Sequence, residues 1–304
     1  MKKIACIGEC MIELFEDAAS GPGTMRRTYG GDTLNSAVYL ARELAGSDAF
    51  VHYVSLLGDD PFSAEMLDGW AAEGIDTRLT ERLPGALPGL YMIRVDERGE
   101  REFLYWRDRA AARRLFATEG AGATLAALAE FDWLYFSGIT LAILSAEGRE
   151  KLMNLCETVR KRGGQVAFDT NYRPRLWPDR QTAQEIVGQA WRHASIALPT
   201  FEDEVALFAD ADAAVTVARL RDAGCTEIAI KRGADPCIVA TQDAISEVAA
   251  HRVARVIDST AAGDSFNAAY LAARVSGKPP SAAVQAGHAL ASHVIGQRGA
   301  IIRR

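Results

Sequence analysis

Short runs of consecutive apolar residues alternate along this chain with stretches in which apolar positions recur every three or four residues. The runs predict strands at 4–8, 51–57, 133–137, 165–169, 196–199, 227–231 and 237–241, and the longer periodicity predicts helices that include 35–44, 64–73, 146–162, 213–223 and 282–295. Strands that are apolar on both faces and separated by helices imply an α/β chain with a mainly parallel central sheet and helices on both faces. Ligands of such sheets collect beyond the carboxyl ends of the strands. The polar residues Glu9, Asn171, Thr200 and Gly233 follow predicted strand ends. One segment breaks the rhythm. Residues 88–95 and 100–106 read as a β-hairpin closed by Asp96-Glu-Arg-Gly99, with Phe103, Tyr105 and Arg107 on one face and Leu104 and Trp106 on the other.

The run Asp258-Ser-Thr-Ala-Ala-Gly-Asp-Ser-Phe-Asn267 carries the densest chemical signal. The helix formers that follow it make Ser259 or Thr260 the expected N-cap, which leaves the N–H groups of Ala261, Ala262, Gly263 and Asp264 without intrahelical acceptors. A helix start of this kind suits a phosphate or a developing oxyanion. A carboxylate in its first turn is placed to take a proton from a hydroxyl that attacks the same phosphate, which is phosphoryl transfer to an alcohol. Small residues and an Asp at a helix start also serve ordinary packing and capping, and the run by itself leaves both readings open.

The same run resembles the second signature of the ribokinase-like (PfkB) carbohydrate kinases, and Tyr29-Gly-Gly-Asp-Thr-Leu-Asn35 resembles their N-terminal di-glycine signature. Ile7-Gly-Glu-Cys-Met-Ile12, Tyr105-Trp-Arg107, Asn171-Tyr-Arg-Pro-Arg-Leu-Trp177 and Lys231-Arg-Gly-Ala-Asp235 resemble the members that act on 2-keto-3-deoxygluconate. The resemblance spans 4–302. It implies one ribokinase-like catalytic domain over 1–304, with insertions at about 12–30 and 86–109 forming a small β-sheet lid. It also implies transfer of the ATP γ-phosphate to the terminal hydroxyl of the keto acid, with a kinase of a neutral sugar such as fructose or ribose as the alternative.

By the same resemblance Asp264 is the expected base, and Ala261, Ala262 and Gly263 line the anion hole. Most relatives carry Gly where Ala261 stands, and ordinary helical dihedrals are expected for this Ala. Gly31, Asn35, Tyr91, Tyr105, Arg107 and Arg173 carry over as substrate contacts, the tyrosine hydroxyls bonding to the sugar and the arginines matching a carboxylate in a planar, bidentate way. Asn171, Arg173, Lys231, Gly233, Ala261 and Gly263 carry over to the nucleotide. Pro236 stands where the nucleotide loop usually has a second Gly. Mg²⁺ is expected with ATP, and the family's Asn-x-x-Glu element is replaced by Thr200-Phe-Glu-Asp203, which leaves Glu202, Asp203 and Glu204 as candidates to organise it. The resemblance also admits a monovalent cation near Asp258 and Thr260, and a homodimer formed through the lid.

Composition narrows the field further. An apolar content of 49% with 24% charged residues is that of a globular protein, and a formal charge of −6 argues against nucleic acid as a partner. No apolar run is long enough to span a membrane, and Met1-Lys-Lys leads into a strand, so a cytoplasmic protein is expected. Five cysteines without Cys-x-x-Cys spacing read as reduced thiols, and the five histidines show no metal-ligand spacing. Gly8-Glu-Cys-Met after the first strand is not a dinucleotide fingerprint, which sets aside a nicotinamide-dependent reductase. A sugar-acid sensor without turnover is disfavoured by the intact Asp264 run.

Overall fold

The computed structural model describes residues 1–16, 21, 23–95 and 101–303. In chain order the strands are β1 Lys2–Ile7, β2 Met11–Glu16, β3 Met25–Gly30, β4 Ala49–Val54, β5 Leu56–Leu57, β6 Glu81–Arg82, β7 Gly89–Val95, β8 Arg101–Trp106, β9 Trp133–Ser137, β10 Gln165–Asp169, β11 Ile196–Ala197, β12 Glu227–Arg232, β13 Asp235–Thr241 and β14 Ile245–Val248. The helices are α1 Asp32–Glu43, α2 Pro61–Ala72, α3 Ala121–Leu128, α4 Gly138–Ile143, α5 Ala146–Lys161, α6 Arg180–His193, α7 Phe201–Phe208, α8 Ala213–Asp222, α9 Ala262–Val275 and α10 Pro280–Ile295. An eight-stranded sheet runs β14-β13-β12-β11-β10-β9-β1-β4, parallel from β12 to β4 and antiparallel at β12-β13-β14.

The alternation along each central strand divides the interior into two cores. On β1, Ala5 and Ile7 join Leu134, Phe136, Val166 and Phe168 on the face covered by α5, α6 and α8. Ile4 and Cys6 join Trp133, Tyr135 and Ala167 on the face covered by α1, α9 and α10. Both faces of these strands are therefore buried, which is why they read as continuous apolar runs.

The element boundaries differ where capping decides. The helix expected at 64–73 starts at Pro61, because the Asp60 side chain accepts from Phe62 N and Ser63 N and proline suits the first helical position. The strand expected at 51–57 is split between β4 and β5, and the one expected at 196–199 keeps ladder pairing over two residues.

A second sheet, in the order β3-β2-β7-β8, stands beside the carboxyl edge of the first. The expected hairpin is present as β7 and β8, with Tyr91 opposite Tyr105 and Ile93 opposite Phe103, while its connection at 96–99 lies outside the described residues. Only residues 8–10 separate β1 of the large sheet from β2 of the small one. Among the described residues no helix is long and apolar enough to cross a membrane.

Candidate active site

A cleft of about 1600 Å³ lies between the carboxyl edge of the large sheet and the small sheet. A pocket for one ligand commonly measures about 300–1,000 Å³, so this cleft has room for two. Its walls include Gly31, Asn35, Tyr91, Tyr105, Arg107, Asn171, Arg173 and Ala261 to Asp264, which brings most of the expected contacts into one space.

Gly31 is the N-cap of α1, and its extended backbone suits any residue. Glycine is needed here for a different reason: a Cβ would lie 2.1 Å from the Glu9 carbonyl oxygen, so β1 and α1 could not approach. That approach aims Asn35, one turn into α1, at the start of α9. The Asn35 Nδ2 donates to Asp264 Oδ2 at 2.8 Å, and the Ser36 hydroxyl donates to the Asp264 carbonyl at 3.1 Å. Burial, together with Asp32 and Asp169 nearby, pushes the Asp264 carboxyl up to about 7 against the pull of Asn35 and Lys231. A carboxylate in that range is a competent base at neutral pH.

The turn before α9 corrects the sequence expectation. Neither Ser259 nor Thr260 caps the helix. The N-cap is Ala261, in the left-handed region at φ 60 and ψ 18. The Ala262 N–H is taken by the Ser259 carbonyl at 3.2 Å. Among the described residues, the N–H groups of Ala261, Gly263 and Asp264 have no protein acceptor, so the cradle has three donors rather than four. A left-handed alanine costs about 1–2 kcal/mol, a cost that glycine would not carry. Ala261→Gly is expected to raise stability by roughly 1 kcal/mol in denaturant melts, less the entropy that glycine adds to the unfolded chain, and to leave turnover within about twofold.

At the small-sheet end, Arg107 is 6% exposed and pairs with Glu9, itself 2% exposed. The rings of Tyr91, Tyr105 and Phe103 stack into one wall, and the Arg107 guanidinium sits 5.7 Å from the Tyr105 centroid. The Tyr91 hydroxyl donates to Glu13, which leaves its oxygen only as an acceptor, while its ring forms part of the wall.

Arg173, whose charge reaches Tyr105, is half-exposed, donates to the Tyr172 carbonyl at 2.9 Å and lies 3.8 Å from Asp203. Asn171 donates to Asp32 Oδ2 at 2.8 Å, and both residues line the cleft. Lys231 and Gly233 do not line the cleft. Lys231 Nζ is buried behind Gly263, donating to Asp169 Oδ2 at 3.0 Å and Asn267 Oδ1 at 2.9 Å, and Gly233 sits in the β12–β13 turn at φ 58.

The three acidic candidates on α7 separate by direction. Glu204 is fully buried, accepting from Thr170 and Arg219, and Glu202 is exposed on the helix surface. Asp203 faces the cleft, its carboxyl pushed up to about 6 by burial and by neighbouring Asp169. A partly desolvated carboxylate beside another carboxylate fits a Mg²⁺ that phosphate and water also coordinate. Both oxygens of Asp258 accept backbone N–H groups, from Thr260 at 3.0 Å and Gly299 at 2.9 Å. Asp169 and Glu9 are site residues that motif reading did not assign. Each is a carboxylate just at or after an apolar strand, and Glu9 also lies within the Ile7-Gly-Glu-Cys-Met-Ile12 motif.

An amide cradle, a buried carboxylate held within it and a cleft with room for a phosphate donor and an acceptor fit a phosphotransferase acting on an alcohol. The profile of the pfkB family carbohydrate kinases matches residues 1–303, and the chain belongs to that family. It is 48% identical over 306 aligned residues to 2-dehydro-3-deoxygluconokinase of Escherichia coli K12, covering 100% of this chain and 98% of that protein. It is 45% identical to the enzyme of the same name from Dickeya dadantii, covering 99% and 97%. The fold matches a putative ribokinase II from E. coli solved with ATP and Mg²⁺, at a TM-score of 0.85 and 22% identity over 99% of this chain and 94% of that one.

Proposed function

We infer that this kinase transfers the γ-phosphoryl group of ATP to the 6-hydroxyl of 2-keto-3-deoxy-D-gluconate, giving 2-keto-3-deoxy-6-phosphogluconate and ADP. The observation that carries this reading is the buried guanidinium of Arg107 in the same cleft as Asp264. A neutral hexose has no group that calls for an enclosed arginine, whereas a sugar acid does. Asp264 accepts the hydroxyl proton as the oxygen–phosphorus bond forms, and the bond from phosphorus to the bridging oxygen of ADP breaks. The N–H groups of Ala261, Gly263 and Asp264 hold the charge of the migrating group, with Lys231 behind Gly263 adding a fixed positive field. Asp203 would hold Mg²⁺ through water, and the ion would neutralise the phosphate oxygens.

The neutral-sugar reading has one observation in its favour, since Arg107 already has a counter-ion in Glu9. A coupled ADP-release assay decides between them. Turnover of the keto acid at least a hundredfold more efficient than that of fructose or ribose is expected, and the reverse order would overturn the assignment.

The small sheet serves in this reading as a lid over the sugar and as the contact with a second subunit. Trp106, 57% exposed on the face away from the cleft, supports a homodimer through this surface. Trp106→Glu is expected to halve the apparent mass in sedimentation, and an unchanged mass would place the contact elsewhere. Five buried free cysteines support a reducing, cytoplasmic setting.

A further inference from the structure

Glu9 is placed by the tight passage from β1 into β2, and its two oxygens have different surroundings. Oε2 accepts from the Arg107 guanidinium. Oε1 is buried and, among the described residues, has no hydrogen-bond partner. It lies against Gly89, where a Cβ would meet it at 2.8 Å, in a corner that also holds the Met11 Cγ and the Arg107 Cβ. An ionised oxygen in an apolar corner lacks the donors that would stabilise its charge, whereas a protonated one does not need them.

The charges around Glu9 are few. Arg107 follows β8, Arg113 lies in the 3₁₀ turn Ala111–Arg114, and Asp32 opens α1. The thiol of Cys10 and the phenol of Tyr53 on β4 also sense the carboxylate, and both are held neutral by burial. Burial already raises the Glu9 carboxyl above its ordinary range, with Arg107 and then Arg113 opposing and Asp32 adding to the rise. A substrate carboxylate at Arg107 would place a second anion against the same guanidinium, and two carboxylates sharing one cation in a desolvated site do not both stay ionised.

We propose that Glu9 Oε1 takes up a proton from solvent when a sugar acid binds at Arg107, and returns it when the product leaves. Glu9 is then a specificity-determining residue. It neutralises Arg107 in the free enzyme, and by protonation it yields that charge to an acidic substrate. Oε2 stays on Arg107 throughout, so the guanidinium keeps its orientation. A neutral sugar brings no charge and draws no proton. This rests on the reading that Arg107 binds the substrate's carboxylate.

The test is calorimetric titration of the enzyme with 2-keto-3-deoxygluconate, without ATP, in buffers of different ionisation enthalpy between pH 6 and 9. Uptake approaching about one proton per site is expected at the alkaline end, where Kd rises by up to about tenfold per pH unit. Glu9→Gln, an isostere of the protonated form, is expected to bind the acid with little proton uptake and a nearly flat Kd. A protonated-carboxyl stretching band appearing in the wild-type infrared difference spectrum on binding checks the same point without a variant. Binding of the acid with buffer-independent heat, or equal uptake in Glu9→Gln, overturns the proposal and leaves the kinase assignment standing. Failure of the wild type to bind the acid at all removes the basis of both.

Discussion

Asp264→Asn is expected to lower kcat by about 10²–10⁴-fold while leaving the KM of the sugar acid within a fewfold. The asparagine keeps the shape of the side chain and a partner for Asn35, so the cleft stays assembled and only proton acceptance is lost. The same change is expected to raise the melting temperature at pH 8. The folded-state pKa of Asp264 lies above the unfolded one, so the folded chain binds more protons between about 4 and 7, and stability from this group falls as pH rises through that window. Above it, the ionised carboxylate faces Asp32 and Asp169, and the neutral amide removes that repulsion. The thermal gain should shrink toward pH 5, where Asp264 is protonated. In the wild type the acid limb of kcat/KM should fall through about pH 7, because only the ionised form accepts a proton. A variant that keeps turnover, or one that melts lower at pH 8, would show that the side chain is structural.

Arg107→Ala is expected to reduce kcat/KM for the sugar acid by about 10²-fold, the loss expected for a charge-assisted contact to a carboxylate, and to change any turnover of fructose far less. It should also destabilise the fold by about 1–3 kcal/mol, because Glu9 loses its buried partner and is protonated in place. The double variant Arg107→Ala with Glu9→Gln separates the two effects. Stability should largely return in chemical denaturation, while recognition of the acid should not. If acid and neutral sugar lose efficiency equally in both variants, Arg107 supports the cleft without reading the substrate.

The parts of this molecule that could be read in advance are those whose cause is local. Apolar runs buried on both faces, a hairpin with Phe103 and Tyr105 on one side, and an acid in the first turn of α9 all follow from neighbours a few positions away. The parts that could not be read depend on pairs far apart in the chain. Glu9 and Arg107 are 98 positions apart, and Lys231 and Asp169 are 62 apart. Nothing near Lys231 indicates that its ammonium turns inward behind Gly263. The helix start failed for another reason. Alanine is a strong helix former, so propensity extends α9 backward through Ala261, whereas the turn from Ser259 forces that residue left-handed. The choice among Glu202, Asp203 and Glu204 needed the rotation of α7, which a strongly acidic first turn conceals.

Asp169 joins the Lys231 ammonium to the Asn267 amide beneath the phosphate cradle, and Asn267 in turn donates to the Tyr135 hydroxyl. These atoms belong to the interior between β9, β10 and α9, and Asp169 among them also lines the cleft. Engineering for heat resistance is therefore constrained here. Replacing this polar knot with well-packed hydrocarbon would toughen the protein, yet it would also remove the positive charge behind Gly263 on which the proposed transfer relies. Robustness is better sought at the periphery, where a change does not reach the chemistry.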